Sequence, residues 1–157
     1  MGDLEDRTAL YYERAKQLNL LSSGTSVELE RQLREVYKAL SYQNEQVRLY
    51  MLLGKIYKQN LDLSSALFCY RLVLKKEPTN PNAQKFLVQL LTLKGKELMT
   101  LGIDNDWKAK YISARSLFDE ALEYNRDSQE LCVLKAVCQV NYVHISLNKS
   151  CMHVCIP

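Results

Sequence analysis

The sequence is poor in the residues that interrupt helices, since its 157 residues include only 5 glycines and 3 prolines. This scarcity excludes collagen-like and low-complexity chains, which depend on those residues. Hydrophobic residues make up 47% of the chain and charged residues 25%, proportions typical of an ordered domain rather than a disordered segment. The composition and length therefore predict a single domain built mainly from helices.

Recognisable targeting and membrane-spanning segments are also missing. Residues 1–6 are acidic, whereas a secretory signal begins with a basic segment followed by an apolar run. The most apolar stretch, 131–147, contains polar residues and is shorter than the roughly 20 apolar residues of a membrane span. We expect a soluble cytoplasmic protein without membrane contact. Its five cysteines, an odd number, are expected to stay reduced.

Catalytic and cofactor motifs are absent from the sequence as well. It has no glycine-rich phosphate loop, no His-Glu-x-x-His and no Gly-x-Ser-x-Gly, so we predict neither an enzyme nor a cofactor. Cys151, His153 and Cys155 would share one face of an extended segment, with Cys138 or His144 as a fourth zinc ligand. The spacing lacks paired Cys-x-x-Cys hooks, and we predict no metal site.

A window of 34 residues, 47–80, carries aromatic, apolar and small residues at helical spacing. Tyr50, Leu53 and Tyr57 share one face of a first helix, and Gly54 is small enough to admit a second helix. On that second helix Ala66 is the matching small residue. The full pattern is Tyr50, Leu53, Gly54, Tyr57, Ala66, Tyr70, Val73 and Pro78. It resembles the tetratricopeptide repeat at nearly every signature position.

Weaker copies of this pattern flank the window. Val36 and Ala39 align with it 34 residues upstream, and Ala114, Phe118 and Ala121 repeat its second helix at an offset of 48 residues. The excess of 14 residues predicts that the preceding helix is extended to about residue 101.

These copies predict the organisation of the chain. A repeat domain over 1–140 would contain hairpins at about 4–43, 47–77 and 82–125, then an unpaired helix from 129. Ser26 is the predicted cap of the second helix, loops are expected at 22–25, 60–62 and 102–106, and 141–157 is predicted to be an atypical tail, either disordered or an alternative ending.

The resemblance implies an all-α, right-handed superhelical stack of antiparallel helical hairpins. It also implies a noncatalytic interaction protein, an adaptor or scaffold that holds a partner segment in a concave groove. In this family the first helix of each repeat lines the groove. The corresponding residues predicted to contact a partner are Arg48, Met51, Lys55, Lys58, Lys85 and Gln89.

Charge favours an acidic partner for this groove. Residues 46–96 carry nine basic and two acidic groups, whereas the segments on either side are each slightly acidic. The carboxylate clamp of chaperone-binding members is not matched, because Met51, Lys55 and Phe86 occupy its positions. Nucleic-acid binding through the basic segment remains an alternative.

Self-association is a further alternative, because the final helix lacks a partner. The predicted interface consists of Leu131, Leu134 and Val137.

Overall fold

The computed structural model describes residues 2–21, 25–42, 46–100 and 107–154, with side chains at 4–21, 25–42, 46–100 and 107–144. Over these residues the protein is all-α, which confirms the predicted class. The described helices are α1 (Gly2–Leu21), α2 (Ser26–Tyr42), α3 (Val47–Gln59), α4 (Leu63–Lys76), α5 (Pro81–Thr100), α6 (Trp107–Tyr124) and α7 (Gln129–Val154). Among them, none combines the length and the apolar character needed to cross a bilayer. The predicted loop residues 22–24 and 102–106 lie outside the described residues.

The start of α2 is capped by Thr25, so the prediction that Ser26 is the cap is wrong. The Thr25 hydroxyl accepts a hydrogen bond from the backbone N–H of Glu28 at 3.4 Å. In return, the Thr25 N–H donates to the Glu28 carboxylate at 3.4 Å. This reciprocal pair is a capping box, and it satisfies two backbone donors that a single cap would leave open.

The turn between α3 and α4 falls at 60–62, as predicted. Leu61 has a φ of 61°, in the left-handed region, which reverses the chain within three residues. The Asp62 side chain then accepts a hydrogen bond from the Ser65 N–H at 3.0 Å and caps α4. At its other end α4 stops at Lys76, shortly before Pro78.

Helix α5 is extended, but by less than the sequence predicts. It begins at Pro81, capped by the Asn80 side chain, which accepts from the Ala83 N–H at 3.0 Å. With 20 residues it is seven residues longer than α3, which has 13. Only half of the 14 additional residues therefore lie in this helix.

The chain divides into two compact units, Met1–Leu87 and Val88–Pro157, and the division falls within α5. In the first unit α1 packs on α2, α3 packs on α4, and both α1 and α2 contact α3. Buried residues from these four helices form one core: Ala15, Val36, Ala39, Leu49, Leu52, Leu53, Ile56 and Cys69. Gln32 is also buried there, and its amide donates to the Leu18 carbonyl at 3.2 Å.

The close approach of α3 and α4 depends on Gly54. A Cβ atom at this position would lie 2.8 Å from Cζ of Tyr70, a separation that side chains do not tolerate. Tyr70 is fully buried, and its ring also lies 5.5 Å from that of Phe86. Gly54 therefore faces the Tyr70 ring.

The second unit contains a similar contact. A Cβ atom at Gly95 of α5 would overlap the Phe118 ring of α6 even more severely. Ala114, Phe118 and Ala121 are fully buried, on the α6 face that the sequence predicts.

Helix α7 packs on α6, and the rings of Trp107 and Tyr142 lie 5.8 Å apart. It continues to Val154, so no helix end coincides with the boundary predicted at residue 140.

Candidate ligand-binding groove

Three of the six predicted contact residues line one cavity of the first unit. Arg48, Met51 and Lys55 lie at helical spacing on α3 and face a cavity of about 470 Å³. We call this cavity the basic groove. Its described lining is Tyr12, Lys16, Asn19, Leu20, Val47, Arg48, Met51, Leu52, Lys55, Glu77, Asn80 and Asn82.

One wall of the basic groove comes from α1 and was missed by sequence reasoning. Tyr12, Lys16, Asn19 and Leu20 lie on one face of α1, because their spacing follows the helical repeat. Leu20 is 77% exposed, which is unusual for so large an apolar side chain. The spacing was available as a signal, but only the packing of α1 on α3 places it opposite Arg48.

The charges of the basic groove are predominantly positive. Lys16, Arg48 and Lys55 contribute three cations, against the single carboxylate of Glu77. Lys16 lies 3.4 Å from Glu13 on its own helix, and Glu77 accepts a hydrogen bond from the Asn80 amide at 2.8 Å. Arg48 and Lys55 are exposed and form no ion pair with any residue that the structure describes. The groove thus presents two cations without acidic partners.

The other three predicted contact residues lie elsewhere. The Lys58 ammonium lies over the Phe86 ring, 5.2 Å from its centre, so it contacts an aromatic face outside the groove lining. Lys85 is exposed on α5 and does not line the groove. Gln89 is exposed and belongs to the second unit.

A second cavity of about 470 Å³ lies in the first unit, between α2, α3 and α4. We call it the aromatic cavity. It is lined by Tyr37, Leu40, Tyr50, Leu53, Tyr57, Ser64, Ser65, Phe68 and Cys69. The hydroxyl groups of Tyr37 and Tyr57 are hydrogen-bonded at 2.6 Å. Burial, and then this hydrogen bond, raise the pKa of Tyr57 above its ordinary value.

The described cysteine thiols give no support for nucleophilic chemistry. Burial, reinforced by the charge of Asp62, raises the pKa of Cys69 to about 12, and burial also raises the pKa of Cys138. A thiol with a raised pKa is neutral at physiological pH and reacts poorly. No group of three metal-ligating side chains occurs among the described residues. The side chains of Cys151, His153 and Cys155 lie outside them.

The exposed face of α7 differs from the predicted interface. Leu131 is 2% exposed and Leu134 is partly buried, so Leu131 cannot belong to a surface for a second chain. The apolar side chains that α7 does expose are Val133, Val137, Val140 and Val143. They share a stripe at helical spacing, and Val137 alone was predicted.

Comparison with known proteins does not assign the chain to a family. A scan against protein-family models found no match, and a search of curated proteins found none either. The resemblance to tetratricopeptide repeats therefore remains a prediction from the residue pattern of 47–80.

Proposed function

We propose that the protein is a noncatalytic interaction module, an adaptor or scaffold, that binds an acidic segment of a partner protein in the basic groove. The observation that carries this proposal is the pair of exposed cations, Arg48 and Lys55, that line a groove without acidic partners among the described residues. Lys16 adds a third positive charge from the opposite wall.

The groove combines these cations with apolar surface. Carboxylates of a partner can accept charge-assisted hydrogen bonds from Arg48 and Lys55. Met51 and Leu20 offer flexible apolar contacts beside them, and a thioether adapts to partners of different shape. Glu77 disfavours carboxylates at its own end of the groove, which would fix the register of an acidic segment.

A rigid scaffold is part of the same proposal. Buried Leu49 and Leu52 alternate on α3 with the groove residues, so the core holds the lining in place. The glycine and aromatic contacts of Gly54 and Gly95 support a repeated hairpin, and we extend this to the right-handed superhelical stack that the resemblance implies. A cytoplasmic location also remains part of the proposal.

Charge reversal tests the proposal directly. Wild-type protein and the variant Arg48→Glu/Lys55→Glu are used to capture partners from cell lysate, and bound proteins are identified by mass spectrometry. The matched control is Lys75→Glu/Lys76→Glu, which changes the same number of exposed charges outside the groove lining. We expect partners with acidic segments to be lost from the groove variant only. Equal capture by all three proteins would contradict the proposal, provided that circular dichroism shows all three to be folded.

Self-association through α7 is a second candidate function, and the valine stripe supports it. Val133 and Val140 are 60% and 65% exposed, and lie two helical turns apart on the same face. Sedimentation equilibrium of the wild type and of Val133→Lys/Val140→Lys tests this. A concentration-dependent dimer that the variant loses would support the stripe as the interface, whereas a wild-type monomer at all concentrations would exclude it.

Nucleic-acid binding is less well supported. Stacking of bases needs accessible aromatic rings, and Tyr70 of the basic segment is fully buried. Binding that depends steeply on salt and is lost equally from the groove variant and its control would favour nucleic acid over an acidic peptide.

A further inference from the structure

The aromatic cavity has an apolar floor and an aromatic rim. Leu53 and Cys69 are almost completely buried and form the floor. On the rim, Tyr37 is 50% exposed and Phe68 is 63% exposed. Tyr37 belongs to α2 and Phe68 to α4, so two exposed rings flank a recess over α3. Large aromatic side chains exposed beside a cavity are unusual on a protein surface without a ligand.

The polar groups of this cavity are hydroxyls. In the pair formed by Tyr37 and Tyr57, only one of the two hydroxyl hydrogens is used between the rings. The other hydrogen must point away from the pair and can be donated to an acceptor outside it. Ser64 and Ser65 add two further hydroxyl groups to the lining. The described lining contains no charged side chain, so an acidic or basic segment gains no electrostatic attraction there.

We propose that the aromatic cavity binds an uncharged, proline-rich segment of a partner protein in the polyproline II conformation. Proline residues have no N–H, and this helix forms no internal hydrogen bonds, so its carbonyls need donors from outside. Tyrosine and serine hydroxyls supply such donors, and exposed aromatic rings pack against pyrrolidine rings. The neutral, acceptor-rich character of the segment thus complements the neutral lining and its hydroxyl donors. The cavity volume of about 470 Å³ lies within the usual range of ligand sites.

This site is separate from the basic groove. The groove uses Arg48, Met51 and Lys55 on α3, whereas the aromatic cavity uses Leu53 and Tyr57. Arg48 and Leu53 are offset by about 140° around the helix axis, so the two cavities open on different faces of α3. Occupancy of one does not require the other, and the proposal does not rest on the proposed function of the groove.

Titration with defined peptides tests the proposal. Two-dimensional amide NMR spectra of the full chain are recorded with decaproline and with an uncharged alanine and glutamine peptide of equal length. We expect decaproline to shift the amide signals of α2 and α4 near Tyr37 and Phe68, and the control peptide to leave them unchanged. No shifts at millimolar decaproline, equal shifts with both peptides, or shifts confined to the basic groove would each overturn the proposal.

Variants of the exposed rim separate binding from folding. Phe68→Ala should weaken decaproline binding about fivefold to tenfold, because one aromatic contact is lost. Tyr37→Phe keeps the ring and removes one hydroxyl, so a smaller loss of about threefold is expected. Ile112→Ala, which removes an apolar side chain of similar exposure in the second unit, is the matched control. Unchanged binding by Phe68→Ala, or equal weakening by Ile112→Ala, would contradict the assignment.

Discussion

The first and second units each contain a helix pair that approaches closely at a glycine, but the two contacts are built differently. Gly54 of α3 faces Tyr70 of α4, and Gly95 of α5 faces Phe118 of α6. The helix that carries the glycine has 13 residues in the first case and 20 in the second. The same close packing therefore tolerates a change of helix length and of aromatic residue, as long as the position facing the ring has no side chain.

The units also differ in how they use charge. In the second unit cations pair across helices: Lys96 lies 2.6 Å from Glu130, and Lys135 lies 2.5 Å from Asp119. In the first unit Arg48 and Lys55 line a groove and form no ion pair with any described residue. Cations that already have partners add little to ligand binding, so this contrast favours the first unit as the site of an acidic partner.

The largest expected effect comes from filling the glycine positions. Gly54→Leu and Gly95→Leu should each reduce the free energy of unfolding by about 3 kcal/mol, because a side chain cannot fit beside the facing ring. The loss should be greater for Gly95, where the ring is closer. Thermal and urea unfolding measure both. A variant that keeps the wild-type melting temperature would show that the glycine and ring contact of that unit is wrong.

Exchange of the two aromatic residues sharpens the comparison. The Tyr70 hydroxyl oxygen is buried without a hydrogen-bond partner among the described residues, whereas Phe118 has no polar atom to satisfy. Tyr70→Phe should therefore raise the free energy of unfolding by about 1 kcal/mol. Phe118→Tyr should lower it by about 2 kcal/mol, since it buries a new hydroxyl. Destabilisation by Tyr70→Phe, measured by urea unfolding, would mean that this hydroxyl does have a partner.

Stability at alkaline pH should depend on Cys69. Its pKa is about 12 in the folded protein, against an ordinary value of 9.0, so between these values the folded state binds more protons than the unfolded state. The free energy of unfolding should consequently fall as pH rises above 9, by about 1.4 kcal/mol per pH unit for this one group. Cys69→Ala should flatten this dependence, which urea unfolding between pH 8 and pH 10 (roughly the range in which the thiol dominates) can measure.

The control for this pH dependence is Cys132, which is exposed. Cys132→Ala should leave the slope unchanged. An equal slope in all three proteins would show that Cys69 ionises as easily in the folded protein as in the unfolded one.

The smallest expected effect concerns the ion pair of Lys135 and Asp119. Both side chains are more than a third exposed or close to it, at 35% and 44%, so solvent screens their attraction. Lys135→Ala should cost less than about 1 kcal/mol and should cost still less in high salt. A loss as large as that of Gly95→Leu would show that charge, rather than close packing, holds α6 and α7 together.

The fold was more accessible from the sequence than the site, for physical reasons. Local spacing determines which face of a helix is apolar, and it placed Ala66, Tyr70 and Phe118 in the interior. Gly95 was missed because it precedes its ring by 23 residues, whereas Gly54 precedes Tyr70 by 16. The extra residues are divided between α5 and the connection after it, and no local pattern reveals that division.

The site depends on contacts between distant segments. The spacing on α3 correctly brought Arg48, Met51 and Lys55 together, since one helix sets their geometry. The α1 wall and the aromatic cavity require the packing of separate helices, which periodicity does not specify. Lys58 was misplaced because its contact with Phe86 crosses between α3 and α5.

The central claim is that the basic groove recognises acidic segments, and calorimetric titration with a ten-residue peptide of glutamate and leucine tests it most directly. We predict saturable binding to the wild type, at least about tenfold weaker binding to Arg48→Glu/Lys55→Glu, and binding to Lys75→Glu/Lys76→Glu within about twofold of the wild type. Binding weakened equally in both variants, or absent from the wild type, would contradict the claim.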